Sequence, residues 1–154
     1  MDGHALWLSQ CREIGFSPSP RKYEDGTRTS QDAADQLGCD VAHIAKSIVF
    51  EGMEGAVVVI TSGSNRVERK RKLKRILGFK PGIASPEYVQ KSTGYEIGGV
   101  PPFGHTRPVT VLMDEDLMQY DIVWGAGGTP QTVFPITPEE LRVIAGALLG
   151  DVKQ

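Results

Sequence analysis

The sequence contains few of the residues that build metal sites or disulfide frameworks. Its 154 residues include two cysteines, Cys11 and Cys39, and three histidines, His4, His43 and His105. The cysteines form no C-x-x-C pair and the histidines have no H-E-x-x-H spacing, so we predict no metal site. Two cysteines outside any such motif are typical of a reduced, cytoplasmic protein.

Long apolar runs are missing as well. No stretch approaches the roughly 20 apolar residues that span a bilayer, and the N-terminus shows no basic segment followed by an apolar one, as an export signal would. We therefore expect a cytoplasmic protein with no membrane partner. The 40% hydrophobic and 23% charged residues are typical of a globular protein, and the length predicts one domain over residues 1–154.

Common catalytic motifs are also absent. The sequence has no G-x-S-x-G nucleophile turn and no phosphate-binding P-loop. Gly125, Gly127 and Gly128 lack the spacing of a dinucleotide-binding motif, and no helix follows them directly. We therefore predict that the protein works without a cofactor.

Helical and strand patterns interleave along the chain. Amphipathic segments with capping residues predict helices over 4–14, 30–37 and 86–93, and from Thr137 onward. Apolar, β-branched segments predict strands over 44–50, 56–61, 109–112, 122–124 and 132–135. The strand around 57–60 is expected to be central, and residues 51–55 to form a hairpin connection. This interleaving favours a mixed α/β or α+β fold.

Two segments stand out for chemistry. Lys46 lies near the start of the otherwise apolar strand 44–50, where a lysine is either exposed at the strand entrance or held for a function. Residues 98–105 read Gly-Gly-Val-Pro-Pro-Phe-Gly-His, and this composition excludes a helix or a central strand. Such a loop either only turns the chain or holds a ligand against its backbone.

The positive charge is concentrated in one segment. Residues 66–75 hold seven of the 17 lysines and arginines, although the net charge is −2. Val67, Leu73, Ile76 and Leu77 have helical spacing, and Gly78 stands where a helix would end. A basic helical face beside an acidic body suggests a polyanion partner such as RNA or DNA, the alternative being a merely solvated face.

Several segments, taken in order, resemble one known family. They are Ala-Lys-Ser-Ile-Val-Phe at 45–50, Gly-Ser-Asn-Arg-Val at 63–67, Ala-Ser-Pro-Glu at 84–87, the loop from Gly98 to Gly104, and the Gly127-Gly128 pair. Over about residues 28–146 the chain is similar to the YbaK/ProX aminoacyl-tRNA deacylases, relatives of the editing insertion domain of bacterial prolyl-tRNA synthetases. The resemblance implies a mixed α/β domain with a curved, barrel-like sheet surrounded by helices.

The resemblance also implies a reaction. Members of this family hydrolyse the ester that joins a wrong amino acid to the 3′ end of a tRNA, here expected to be a small one such as alanine or cysteine on the proline tRNA. The matching lysine is Lys46, which would hold the terminal phosphate or stabilise charge on the carbonyl oxygen. The backbone of the segment from Gly98 to Pro102 would position the ester and a water, with Gly127 and Gly128 on the facing wall.

The predicted site follows from these matches. The substrate-binding set is Gly98, Gly99, Val100, Pro101, Pro102, Phe103, Gly104, His105, Gly127, Gly128 and Asn65. The set expected to contact the tRNA acceptor stem is Arg66, Arg69, Lys70, Lys72 and Lys74, and an aminoacyl-tRNA synthetase is a further expected partner. Many family members have a serine where this chain has Pro101, and His105 is either a general base or a rim residue.

Two other functional classes remain open from the sequence. A non-catalytic module associated with synthetases would sense a charged tRNA end without turnover. A small nucleotide- or phosphate-binding protein would use the glycine loops to cradle a free ligand.

Overall fold

Eight strands in one mixed sheet organise the part of the chain that the structure describes. The computed structural model describes residues 2–23 and 29–154; position 28, where the family resemblance begins, lies outside these ranges. The strands are β1 (Arg21–Lys22), β2 (Ile44–Glu51), β3 (Ala56–Ser62), β4 (Gly82–Ile83), β5 (Thr110–Asp114), β6 (Val123–Ala126), β7 (Thr132–Ile136) and β8 (Leu148–Gly150). Their order is β1-β7-β6-β2-β3-β5-β8, and β4 pairs with β2.

The mixed α/β class predicted from the sequence is confirmed. β2 and β3 form an antiparallel hairpin, whereas β3 with β5 and β5 with β8 are parallel pairs. Within the described residues no pairing joins the edge strands β1 and β8, so the sheet stays open rather than closing into a barrel.

The helices begin and end where local capping chemistry predicts. They are α1 (Gly3–Ile14), α2 (Ser30–Leu37), α3 (Lys74–Leu77), α4 (Pro86–Thr93) and α5 (Pro138–Ala145). Thr29 and Asp32 form a reciprocal capping box at the start of α2, and Pro86 and Pro138 occupy the first turns of α4 and α5. None of these described helices has the length and apolarity needed to cross a bilayer.

The basic segment departs from the prediction of a helix that includes Val67. Val67 instead forms an antiparallel bridge with Lys153 near the other end of the chain. The helical turn begins only after Glu68, whose carboxylate accepts hydrogen bonds from the Arg71 and Lys72 N–H groups. Residues 69–73 form a π-helical turn that runs into α3, which ends at Gly78 as predicted.

The central strand of the core is β3, as predicted. It lies between β2 and β5, and each of its residues is buried. Val58 and Ile60 belong to a large apolar cluster on one side of the sheet, whereas Val57 and Val59 belong to a smaller one with Leu73. Because both faces are covered, β3 is a rigid support for its neighbour β2.

The other edge of β2 is only partly paired. β3 pairs with β2 from Ala45 to Glu51. On the opposite edge, β6 pairs only with residues 44–45 and β4 only with residues 50–51. Within the described chain, residues 46–49 therefore have no strand neighbour on that side, and we call this stretch the unpaired edge of β2.

Candidate active site

A cavity of about 700 Å³ lies at the unpaired edge of β2, a volume within the usual range for small-ligand sites, about 300–1,000 Å³. Residues 44–50 of β2 line it. One further group of lining residues begins at the end of β4 and continues to Val100, another comes from β6, β7 and the turn between them, and a third lies in and before α2. The first group is Ile83, Ala84, Val89, Ile97, Gly98 and Val100. The second group is Trp124, Gly125, Ala126, Pro130, Thr132 and Val133. The third group is Tyr23, Thr29, Ser30 and Ala33.

Main-chain groups of β2 face this cavity. The Gly63 N–H donates to the Ile44 carbonyl at 2.7 Å, so Ile44 directs its carbonyl toward the β3 side. Because backbone direction alternates along a strand, Ser47 and Val49 direct their N–H and C=O groups to the opposite, unpaired edge. The Ser47 hydroxyl is also buried without a hydrogen-bond partner among the described residues. The cavity thus offers polar groups that a ligand can satisfy.

Lys46 lines the cavity and is half-buried. No carboxylate within the described ranges forms an ion pair with its ammonium group. Burial lowers the pKa of Lys46, and the positive charge of Arg66 lowers it further. A half-buried cation that has no carboxylate partner among the described residues attracts an anion. The structure therefore places Lys46 on the wall of a concave site, although its catalytic role remains a prediction.

Two residues of the 98–105 loop reach the cavity. Gly98 and Val100 line it, and Gly98 has a left-handed φ of +86°. Gly99 lies behind them against the turn between β6 and β7. A Cβ atom on Gly99 would stand 2.7 Å from the Thr129 Cα, so only glycine fits this contact. The loop thus brings its backbone to the site while fastening itself to the opposite wall.

The other predicted residues of the loop do not line the cavity. Pro101, Pro102 and Phe103 are buried, and the Phe103 ring packs against the aromatic core. The Gly104 carbonyl accepts a hydrogen bond of 2.6 Å from the Tyr95 hydroxyl. Most of this loop is a buried brace for Gly98 and Val100, the two of its eight predicted residues that line the cavity, and contact of the loop with substrate remains a prediction.

His105 also faces its own loop. Its ring Nε2 and the Pro101 carbonyl oxygen are 2.8 Å apart, and because a carbonyl oxygen only accepts, Nε2 is the donor. Burial lowers the pKa of His105, and this hydrogen bond partly opposes the shift. The structure shows His105 bracing the loop, and its role as general base or rim residue remains a prediction.

Gly127 and Gly128 lie in the turn between β6 and β7, where they contact α1 behind the wall of the cavity. The Gly127 carbonyl accepts a hydrogen bond of 2.7 Å from the Nδ1 of His4 in α1. A Cβ atom on Gly128 would stand 2.2 Å from the Gly3 carbonyl oxygen. Trp124 lines the cavity whereas neither glycine does, and contact of Gly127 and Gly128 with substrate remains a prediction. No role at the site was predicted for α1 from the sequence, and the residue that could have indicated one is His4.

Asn65 does not line the cavity either. Its side-chain amide donates to one oxygen of Asp114 at 2.8 Å and to one of Asp116 at 2.9 Å. Asp114 is buried and also accepts hydrogen bonds from the Thr61 hydroxyl and the Ser62 N–H. With its donors used by two carboxylates, Asn65 fixes the turn that carries Arg66, and its contact with substrate remains a prediction.

The structure divides the predicted tRNA-binding residues. Lys72 pairs with Asp151 at 2.7 Å, and the Arg69 guanidinium donates to the Pro81 carbonyl. Lys70 and Lys74 are exposed and form no ion pair with any described residue, and the same holds for Arg71 and Arg75, which were not in the predicted set. Contact with tRNA by these residues remains a prediction.

The fold with an open mixed sheet and a cavity at Lys46 is that of an aminoacyl-tRNA editing domain, as comparison with known families shows. The model of the aminoacyl-tRNA editing domain family matches residues 24–144, and the chain belongs to this family. It is accordingly an aminoacyl-tRNA deacylase, an enzyme that hydrolyses the ester between an amino acid and tRNA.

Individual relatives agree with this assignment. The chain is 33% identical over 120 residues to the uncharacterized protein YwhH of Bacillus subtilis, covering 78% of this chain and 76% of that one. It is 22% identical over 150 residues to EbsC of Enterococcus faecalis, provisionally named a Cys-tRNA(Pro)/Cys-tRNA(Cys) deacylase, covering 97% and 92% of the two chains. A solved structure provisionally described as a trans-editing enzyme for prolyl tRNA synthetase superimposes with a TM-score of 0.94 and 39% identity, covering 100% of this chain and 98% of that one.

The chain also matches a segment of a synthetase. It is 37% identical over 107 residues to the proline–tRNA ligase of Thermosipho melanesiensis. That match covers 69% of this chain but only 17% of the ligase. The similarity therefore concerns one part of the ligase and not its aminoacylation activity.

Proposed function

We propose that this protein is a trans-editing deacylase that removes a small amino acid, such as alanine or cysteine, from the proline tRNA. The names of EbsC and of the structurally similar trans-editing enzyme support this substrate. A difference of one methylene or hydroxyl changes selectivity by only about 1–3 kcal/mol, so the exact amino acid has to be measured.

The observation that carries the proposal is the position of Lys46. Its ammonium group stands at the cavity without a carboxylate partner in the described ranges, and Arg66 adds a second positive charge. The substrate brings two groups that this charge would stabilise, the phosphate of the terminal nucleotide and the oxygen of the ester carbonyl. Stabilising the phosphate lowers KM, whereas stabilising charge that develops on the carbonyl oxygen raises kcat.

The reaction needs little more than positioning. A water oxygen adds to the ester carbonyl carbon, the bond from that carbon to the ribose oxygen breaks, and the ribose oxygen takes a proton. The main-chain groups of Ser47 and Val49 at the unpaired edge of β2 would orient the substrate, with Gly98 on an adjoining wall. A substrate with its own nucleophilic side chain, such as the cysteine thiol, could supply the attacking atom in place of water.

The partner and location follow from the same proposal. The exposed Lys70 and Lys74 would contact acceptor-stem phosphates, and a prolyl-tRNA synthetase is the expected source of the mischarged tRNA. We infer that residues 1–154 act as one editing domain in the cytoplasm.

The direct test is a deacylation screen. Proline tRNA is charged separately with alanine, cysteine, serine, threonine and proline, and release of each amino acid is followed over time with the wild type and with Lys46→Ala. We expect rapid loss of alanine or cysteine, slow loss of proline, and rates near the spontaneous value for the variant.

Two outcomes would contradict the proposal. Binding of all five tRNAs without accelerated hydrolysis would indicate a sensing module instead of an enzyme. Hydrolysis restricted to serine or threonine would keep the deacylase but overturn the proposed substrate.

A further inference from the structure

A second concave surface lies beside the active site and has no role in the proposed reaction. Its volume is about 520 Å³. It is lined by Leu37, Cys39, His43, Gln119, Tyr120, Asp121, Ile122 and Trp124, and we call it the aromatic groove. Tyr120, His43 and Trp124 are only half-buried, so the three rings lie at the surface instead of in the core.

The rings of the groove are arranged for stacking. The His43 and Tyr120 rings lie 4.1 Å apart with 28° between their planes. The Arg21 guanidinium lies 5.0 Å from the centre of the Trp124 ring, a cation–π contact. Ile122 adds an apolar side chain that is 38% exposed. Half-exposed aromatic rings in a concave surface are a platform for planar rings, and nucleobases stack on such rings irrespective of sequence.

Trp124 lines both the groove and the active-site cavity, so the two concave surfaces are neighbours that share this residue. In the parallel pairing of β2 with β6, Trp124 stands opposite Ile44. Lys46 follows Ile44 by two residues on the same face of β2, about 6.6 Å along the strand, and His43 directly precedes Ile44. A ligand that extends from Lys46 past Trp124 therefore enters the aromatic groove.

We propose that the aromatic groove binds the unpaired nucleotide that precedes the aminoacylated terminal nucleotide of the tRNA, by stacking its base on Tyr120 and His43. The inference rests on the proposed function, since it assumes that the terminal nucleotide occupies the cavity. Charge on the rim is consistent with it: Arg21 is positive beside Trp124, whereas Asp121 is the carboxylate among the lining residues. The sugar–phosphate backbone would therefore pass on the Arg21 side, and the base would point into the groove.

The test compares two ligands that differ by the preceding nucleotides. The protein is titrated with the trinucleotide CCA, the common 3′ end of tRNA, and with adenosine 5′-monophosphate, and tryptophan emission is followed. Trp7 is fully buried and Trp124 half-buried, so quenching reports mainly on Trp124. We expect CCA to bind at least about fivefold more tightly than the mononucleotide, as one stacked base would give.

Variants locate the effect. Tyr120→Ala combined with His43→Ala should make the two ligands bind equally while leaving the mononucleotide affinity unchanged. Tyr120→Phe, which keeps the ring, and Gln119→Ala, which changes a non-aromatic lining residue, should keep the preference for CCA. Equal binding of both ligands to the wild type would overturn the inference, and so would a preference that survives the double variant; either result would point to another occupant, such as a protein partner.

This binding assay is independent of hydrolysis. If the protein deacylates no tRNA but prefers CCA through Tyr120, the groove stands and the proposed function fails. If it deacylates tRNA and shows no preference for CCA, the proposed function stands and the groove fails.

Discussion

The Nε2 N–H of His105 donates a hydrogen bond to the carbonyl oxygen of Pro101 at a distance of 2.8 Å. This bond closes the loop that carries Gly98 and Val100 to the cavity. Pro101 has no N–H to donate, but its carbonyl oxygen accepts this bond and so helps to hold the loop.

His105 makes the stability of the protein depend on pH. Burial lowers its pKa in the folded state below the unfolded value of about 6.5, so folding favours the neutral ring. The stability that the neutral His105 ring contributes to folding is therefore fully present above a pH of about 6.5. It is lost as the pH falls through the folded-state pKa. His105→Gln, whose amide still donates to Pro101, should flatten the decline in the free energy of unfolding below that pH. Urea titrations at a series of pH values measure it, and parallel curves for the two proteins would contradict the prediction.

Gly99 should not tolerate a side chain. The Cβ atom of Gly99→Ala would lie 2.7 Å from the Thr129 Cα and 2.9 Å from its carbonyl carbon. We expect a loss of about 1–3 kcal/mol in stability, typical of overpacking, and a lower kcat because the two loops move apart. Gly82→Ala is the matched control, since its Cβ would make an ordinary contact of 3.4 Å with Glu51. Thermal unfolding and deacylation rates are compared, and equal melting temperatures would refute the close contact.

Lys46 should be essential for activity and dispensable for folding. Removing one charge-stabilising donor from an active site costs about 100- to 1,000-fold in rate, and we expect a loss of that size in kcat/KM for Lys46→Ala. Because the ammonium group has no ion-pair partner in the described part of the chain, the melting temperature should change little. Lys80→Ala, at an exposed position, is the control. Full activity in a folded Lys46→Ala variant would exclude Lys46 from the site.

The exposed lysines of the basic segment should bind tRNA electrostatically. Lys70→Glu with Lys74→Glu is expected to weaken binding of all tRNAs and to flatten the dependence of log Kd on log salt by about 0.7–0.9 per lost phosphate contact. Lys91→Glu with Arg107→Glu makes the same change in net charge at exposed positions elsewhere and should have a smaller effect. Filter binding at several salt concentrations gives the slopes. Salt-independent binding by the wild type would exclude this interface.

Asn65 should act on stability and not on substrate affinity. Asn65→Ala removes a donor to the buried carboxylate of Asp114, a change that typically costs about 1–3 kcal/mol. We expect a lower melting temperature and an unchanged KM for CCA carrying the amino acid at its 3′ end. A variant of normal stability with a raised KM would restore Asn65 to the substrate-binding set.

Local chemistry made much of the fold predictable. α2, α4 and α5 carry their capping residues beside them, α4 and α5 also begin with a proline, and β3 is recognisable from its β-branched run. β1, β4 and β8 were not predicted, because strands of two or three residues depend on the neighbour they join. The start of the basic helix was misplaced since Val67 pairs with Lys153, a residue far along the chain.

The site was also predictable only in part, because it too depends on segments that lie far apart in the chain. Lys46, Gly98 and Val100 were predicted and line the cavity. Ser30, Ala33 and Trp124 also line it, but nothing in their own sequence segments marks them. These residues meet at the cavity only in the folded sheet. β6 and β4 each pair with one end of β2, and the stretch of β2 that stays unpaired between those two ends is a property of the whole sheet.

The unpaired edge of β2 has a consequence for how this enzyme could change its substrate. Ser47 and Val49 present main-chain groups that nearly any amino acid would supply, so mutation at these positions leaves the polar floor of the cavity in place; only proline would delete an N–H. The walls, in contrast, are side chains such as Ala33 and Val100. Wall substitutions can therefore alter which side chain fits the cavity while these main-chain groups stay in place.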